Sequence, residues 1–402
     1  MANEKAISDG SERRTLIASA LQQSGLDAVV CALPTNVLML SGYWPMVATS
    51  IALATSNGSI YLLVPRDEEK LTNRGWATAD SFAAGSLYEI KSQNETIQEP
   101  LTSLISNIGL SHASIGYEAG VVCEPAPYVA LHFYGSAIRD ICQRRFPSLS
   151  LRPADLLLTK LRAVVTEEEC GVMRTACRIV QEAFSLGREQ LRPGLKETEV
   201  ASAFREPLNR GGEHGITRAD GFVFCMSGPN SADAFASYQV STGRELRDGD
   251  LVLIHCNSYI DGYWTDITRT FSLGELQGQK RVMYDAILEA RDAALNAVGP
   301  GVNAAEVDAV ARNVLKKHGF INEFRHGLGH GVGFAAIDHN AQPRLHPQSP
   351  DVLEPGMTFN VEPAIYLEET GGIRHCDIVR VTEAGMELLT PFQSQTTELI
   401  VV

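Results

Sequence analysis

The feature that most restricts what this chain can fold into is an internal repeat in its C-terminal part. A helical stretch from about 168 to 190 ends at Pro193-Gly194-Leu195-Lys196-Glu197-Thr198-Glu199-Val200, and another helix follows. A second helical stretch, from about 278 to 297, ends at Pro300-Gly301-Val302-Asn303-Ala304-Ala305-Glu306-Val307, and again another helix follows. Each copy then runs into a glycine-containing β segment, Gly221 to Gly228 and Gly327 to Phe334, with a hairpin beyond. Two copies, about 107 residues apart, indicate one pseudo-twofold domain and not a solenoid. Closing two such copies on each other brings their hairpins to a shared central place.

Upstream of the repeat the pattern differs. Ser11 to Gln23 is amphipathic, with Leu16, Ile17, Ala20 and Leu21 on one face, and it leads into the buried-strand run Ala28-Val29-Val30-Cys31-Ala32. Further strands are expected at Ser50 to Ala54, Ile60 to Val64 and Ala113 to Tyr117, with helices at 98–107 and 126–142. This alternation reads as an α/β domain with a mostly covered sheet. Pro153-Ala154-Asp155 opens a helix through Leu161, and Thr166-Glu167-Glu168-Glu169 is a capping box before the next long helix. We therefore place the domain boundary near 155, giving domains 1–155 and 156–402.

Charge and cysteine usage narrow the partners. With 34 basic and 48 acidic residues the formal charge is −14, which argues against nucleic acid or an anionic membrane surface. No apolar run has the roughly 18–20 residues needed to cross a bilayer, and the N-terminus Met1 to Arg14 lacks the apolar core of a secretory signal. The cysteines at 31, 123, 142, 170, 177, 225, 256 and 376 show no paired spacing, which suits reduced, buried thiols. A cytoplasmic protein acting on a small molecule or short peptide is expected.

The residues that carry chemistry cluster around the two hairpins. His255 and Asp266 bracket the turn Asp261-Gly262, so one hairpin puts both side chains on one face. Glu362 and Cys376 bracket Glu368-Glu369-Thr370-Gly371-Gly372 in the same manner. Between them lies His326-Gly327-Leu328-Gly329-His330-Gly331-Val332-Gly333, whose glycines would let the backbone come close to a bound ligand.

These residues resemble the creatinase, prolidase, aminopeptidase P and methionine aminopeptidase superfamily, over nearly the whole chain. Asn36-Val37-Leu38-Met39-Leu40-Ser41-Gly42-Tyr43 is similar to the N-terminal domain of the creatinase and prolidase branch. Leu161-Arg162, Asp266-Ile267-Thr268-Arg269-Thr270-Phe271, Gly329-His330-Gly331-Val332-Gly333, Glu354-Pro355-Gly356-Met357 and Glu362-Pro363 are similar to the catalytic domain. The resemblance implies an α+β pita-bread catalytic domain preceded by an α/β domain, C–N bond hydrolysis, and a homodimer.

It also implies a metal centre in which two adjacent divalent ions are held by two Asp, one His and two Glu. Carried over by position, Asp266, His330 and Glu362 are retained, while His255 stands for the first Asp and Cys376 for the last Glu. Losing both carboxylates removes charge that lets two cations sit close together. The family's helper histidine is also gone: the position falls on Phe235 or on Tyr238, depending on the register. His326, Arg374 and a stand-in at His339 remain as candidate catalytic groups beside Glu362. Tyr43, Trp44 and Trp264, with Phe235 and Tyr238, are candidate substrate walls.

Three readings follow. One is a mononuclear hydrolase holding a single zinc or iron ion on His255, Asp266, His330, Glu362 and Cys376, a mixed N/O/S set. The second is a metal-free C–N hydrolase in the manner of creatinase, with Glu362 and Asp266 binding a cationic substrate. The third is a non-catalytic binding module, against which the retention of costly pocket charges speaks.

Overall fold

A computed structural model of the chain describes residues 10–45, 49–82, 93–120, 136–237, 240–334 and 341–401. Tyr238, His339, Cys123 and the start of the helix expected at 126 lie outside the described residues. The chain divides into two compact units, Met1–Arg162 and Ala163–Val402.

In the first unit a six-stranded sheet runs in the order Thr78–Phe82, Ile60–Pro65, Ile51–Thr55, Ala28–Cys31, Ser114–Tyr117, Ser150–Pro153. Ala28–Cys31 pairs antiparallel with Ile51–Thr55 and parallel with Ser114–Tyr117. Both central strands, Ala28–Cys31 and Ile51–Thr55, are buried along their full length, as their unbroken apolar sequences require. Leu101 and Ile105 from helix Gln93–Asn107, with Ile138 and Ile141 from helix Ser136–Arg145, pack in one core with Val30, Leu53 and Ile115.

One helix of this unit, Pro34–Ser41, escapes periodicity because every residue in it is buried. Its start is fixed instead by a buried carboxylate. Glu118 accepts from Ala32 N at 2.8 Å, Leu33 N at 3.0 Å and Asn36 Nδ2 at 2.8 Å, satisfying donors that a helix start leaves open. Asn36 Oδ1 in turn accepts from Arg162 Nη1 at 2.6 Å, and Arg13 Nη1 donates to Leu161 O at 3.0 Å. These bonds tie the helix Asp155–Ala163 to the first unit, so the division falls after Arg162 and not at 155.

The second unit holds a four-stranded sheet in the order Ile400–Val401, Tyr263–Leu273, Leu251–Ile260, Ala219–Ser227. Beside it are a three-stranded sheet, Thr358–Val361, Asp377–Thr382, Gly385–Leu388, and the pair Ala364–Leu367 and Gly371–Arg374. The repeated helices are Glu167–Gln190 with Glu197–Arg205, and Gly278–Ala297 with Ala304–Lys317. The capping box is present: Thr166 Oγ1 accepts from Glu169 N at 3.3 Å, and Glu169 Oε2 accepts from Thr166 N at 2.8 Å.

The β segments of the two copies are not alike. Ala219–Ser227 is a nine-residue strand, whereas Gly327 to Phe334 touches its neighbours through single bridges, Gly329 to Leu345, Gly331 to Phe359 and Gly333 to Trp264. Two of its glycines, Gly329 and Gly331, lie hard against protein backbone. A Cβ added at Gly329 would lie 1.9 Å from Asn360 O, and one at Gly331 would lie 2.1 Å from Gln342 O. Because the obstacle is backbone, Gly329→Ala is expected to cost about 1–3 kcal/mol or more in urea unfolding. A variant as stable as wild type would show that the loop yields.

Candidate active site

The first hairpin sets the geometry. Asp261 and Gly262 take φ of 47° and 92°, the left-handed values a two-residue hairpin turn demands. The resulting register pairs His255 with Thr268 and Asn257 with Asp266, so all four side chains share one face. The second hairpin opens where the site needs room. Val361 pairs with Asp377 and Ala364 with Arg374, leaving Glu362-Pro363 opposite His375-Cys376 between two short ladders. Cys376 N donates to Thr268 O at 3.0 Å, which sews the hairpins together at their middles.

Around that joint the predicted residues converge. Asp266 is central: its Oδ1 lies 3.6 Å from His255 Nδ1 and its Oδ2 lies 3.5 Å from His330 Nε2. His330 Nε2 is also 3.9 Å from Glu362 Oε1, and Arg374 Nε is 4.0 Å from Glu362 Oε2. All of these groups are buried. Burial would raise the Asp266 pKa, but His255, His330 and Arg374 outweigh it and hold the carboxyl below the usual range. Burial also works against the charged form of His330, yet the Asp266 and Glu362 carboxylates carry it up to about 9. Glu362 moves the other way, pushed up to about 7 by burial and then by the Asp266 charge.

A second line of contacts leads away from the carboxylates. His326 Nδ1 lies 2.7 Å from Gly327 O, which can only accept, so Nδ1 carries the proton and Nε2 is left to accept. Tyr366 OH sits 3.0 Å from that Nε2 and accepts from Arg374 Nη1 at 3.4 Å. Phe235 packs against Tyr366 with ring centroids 5.5 Å apart, and the Arg325 guanidinium lies 4.6 Å above the Phe235 ring. Of the two candidates for the lost helper position, Phe235 is thus beside the cluster, and Tyr238 is outside the described residues.

The donor set does not suit the ion pair that the resemblance implies. The Cys376 thiol donates to Asp266 O at 3.1 Å and lies 3.9 Å from Oδ1. Burial first, then the charges of Asp266 and Glu362, push this thiol well above its ordinary value, in keeping with its role as a donor to the Asp266 carbonyl. His255 Nδ1 is turned to Thr268 Oγ1 at 3.0 Å. Asn360 Nδ2 stands 3.2 Å from His330 Nε2. Among the described residues no group of three His, Cys, Asp or Glu side chains is arranged to hold a metal ion.

Comparison with known proteins decides the family. The model of metallopeptidase family M24 matches residues 171–383, just over half the chain. This chain belongs to metallopeptidase family M24. Within it, the chain is 33% identical over 349 residues to the probable dipeptidase PepE of Mycobacterium tuberculosis, covering 77% of this chain and 90% of that protein. It is 27% identical over 384 residues to the Xaa-Pro dipeptidase of Pyrococcus furiosus, covering 94% and 97%. The structure of the prolidase from Pyrococcus horikoshii OT3 superimposes with a TM-score of 0.74 at 26% identity, covering 94% of this chain and 98% of that one. The fold is accordingly the pita-bread fold, and the chain is an M24 hydrolase of the creatinase, prolidase and aminopeptidase P branch.

The other expected wall residues fall in both units, Trp264 two residues before Asp266 on the same strand face. Trp264 is buried, its ring 5.1 Å from that of Tyr259, and its backbone is bonded both ways to Gly333. Tyr43 is buried in the first unit with its hydroxyl on Glu68, and Trp44 is half-buried in the same unit. Three residues of this buried cluster were not singled out from sequence: Thr268, Tyr366 and Asn360. Thr268 sits two residues after Asp266 on the same strand face, a signal that alternation alone supplies. Tyr366 lies four residues after Glu362 across a proline, and nothing local marks it.

Proposed function

We propose that this chain hydrolyses an amide C–N bond in a short peptide or similarly small substrate, without a bound metal ion. One observation carries the reading: Asp266, His330 and Glu362 converge with Arg374 in one buried cluster of a hydrolase fold whose named relatives are dipeptidases. Holding these charges out of water is costly, and a binding module would gain nothing from it.

In this reading the substrate amide lies against the cluster with a water beside Glu362. Water oxygen bonds to the carbonyl carbon as the C=O π pair moves onto oxygen, and Glu362 takes the water proton. Collapse returns the pair, breaks the C–N bond, and the proton passes from Glu362 to the departing amine. Asp266 holds His330, whose charge offsets the two carboxylates, while the Tyr366–His326 contact fixes the wall against which the substrate lies. Metal ions in such a site supply Lewis acidity and an activated water. With a thiol aimed at a carbonyl and an imidazole on a threonine in the two exchanged positions, no step here is assigned to an ion.

The reading also takes the protein to be cytoplasmic, as its cysteine usage suggests, and homodimeric, as its resemblance to the creatinase branch implies; light scattering on the purified chain checks the dimer. Among the described residues no helix is long and apolar enough to cross a membrane. The full chain should be assayed against a panel of Xaa-Pro and other dipeptides with simple amides. Turnover of at least one is expected. No turnover on any of them would leave the non-catalytic reading.

A further inference from the structure

We propose that Arg374 Nη2 is the hydrogen-bond donor that receives the carbonyl oxygen of the scissile amide. The inference rests on the hydrolase reading above and goes further, by naming the group that polarises the substrate.

Arg374 ends the strand Gly371–Arg374 and is only 5% exposed. Two of its three nitrogens are engaged: Nε donates to Thr268 Oγ1 at 3.1 Å and Nη1 to Tyr366 OH at 3.4 Å. Among the described residues Nη2 has no hydrogen-bond partner, although it is buried. A buried guanidinium N–H left unmade is costly, and such groups in native structures call for a partner that arrives later. Because the guanidinium is planar, the bonds at Nε and Nη1 also fix where Nη2 points.

The identity of residue 255 explains why this donor is open. Thr268 Oγ1 is shared between Arg374 Nε at 3.1 Å and His255 Nδ1 at 3.0 Å, so the side chain at 255 is Arg374's next neighbour across one hydroxyl. A carboxylate at 255 would put a negative charge one hydroxyl away from the guanidinium and offset its charge. An imidazole there cannot. The nearest anion left is Glu362, 4.0 Å from Nε and not on Nη2. A fixed cation with an unused N–H beside the proposed base is suited to the oxygen on which negative charge develops.

The test compares Arg374→Ala and Arg374→Lys with wild type on a dipeptide that wild type cleaves, in chelator, with thermal melts on each protein. Both variants are expected to lose about 10²–10³-fold in kcat with KM changed far less. Added guanidinium ion, at a non-denaturing concentration, should restore part of the R374A turnover saturably, whereas an equal concentration of sodium chloride should not. If R374A fails to fold, R374K carries the decision through its kcat. Unchanged kcat in a folded variant, or a loss in well-folded R374A that guanidinium does not touch, would overturn the proposal while leaving the hydrolase reading standing. A wild-type chain that cleaves nothing removes both.

Discussion

Replacing Asp377 with alanine is expected to destabilise the second unit by about 3–5 kcal/mol in urea unfolding at neutral pH. Asp377 is fully buried, and so is Arg269, whose Nη2 donates to it at 2.6 Å. Arg291 Nε donates to the other carboxylate oxygen, and Thr390 Oγ1 donates to the first at 2.8 Å. Removing the carboxylate leaves the buried Arg269 guanidinium without its ion-pair partner, beside Arg291, which keeps only the exposed Asp292. The damage would spread to the site, because Arg269 also donates to Cys376 O at 2.6 Å and to Phe392 O at 2.9 Å. It thereby ties the segment that joins the strands Gly371–Arg374 and Asp377–Thr382 to the C-terminal segment. A loss under about 1 kcal/mol would mean the network is relaxed by water or rearrangement.

The same carboxylate sets an acid limit. Burial raises its pKa, but Arg269, His375 and Arg291 outweigh burial and hold it well below the ordinary value. The folded state therefore releases this proton more readily than the unfolded chain does. Its stabilising effect is complete above the unfolded carboxylate range, near 4, and is lost as pH falls from there. Asp377→Asn should lose much of this acid dependence along with the stability.

Glu362→Gln is expected to lower kcat by about 10²–10⁴-fold without unfolding the protein. Glutamine keeps the shape and cannot take the proton of water. Ionised Glu362 is buried beside Asp266, which is why its pKa is pushed up to about 7, so neutralising it at pH 8 should leave the melting temperature equal or higher. Turnover within tenfold of wild type would remove Glu362 from the proton path. A variant that loses its melting transition would instead make it a structural residue.

How much of this was legible in the sequence differs from residue to residue. That His255 and Asp266 share one face follows from the Asp261-Gly262 turn and strand alternation, which are local facts. That Glu362 and Cys376 face them follows from the repeat. The partner of each side chain does not follow, because it depends on contacts between segments far apart in the chain. The thiol of Cys376 belongs to a carbonyl on the other hairpin, and Arg374 reaches Tyr366 and Thr268 at once. Glycines at 329 and 331 signalled a close approach correctly, but what approaches is the backbone of Asn360 and Gln342. Arg269 lies in a fully buried strand where only the fold reveals that Asp377 is its anion.

The most direct measurement is turnover on a cleaved dipeptide after exhaustive chelation, with metal content determined on the same sample of full-length chain. The account predicts far less than one transition-metal ion per chain and an unchanged kcat. One or two ions per chain, or activity lost on chelation and restored by a divalent metal, would contradict it.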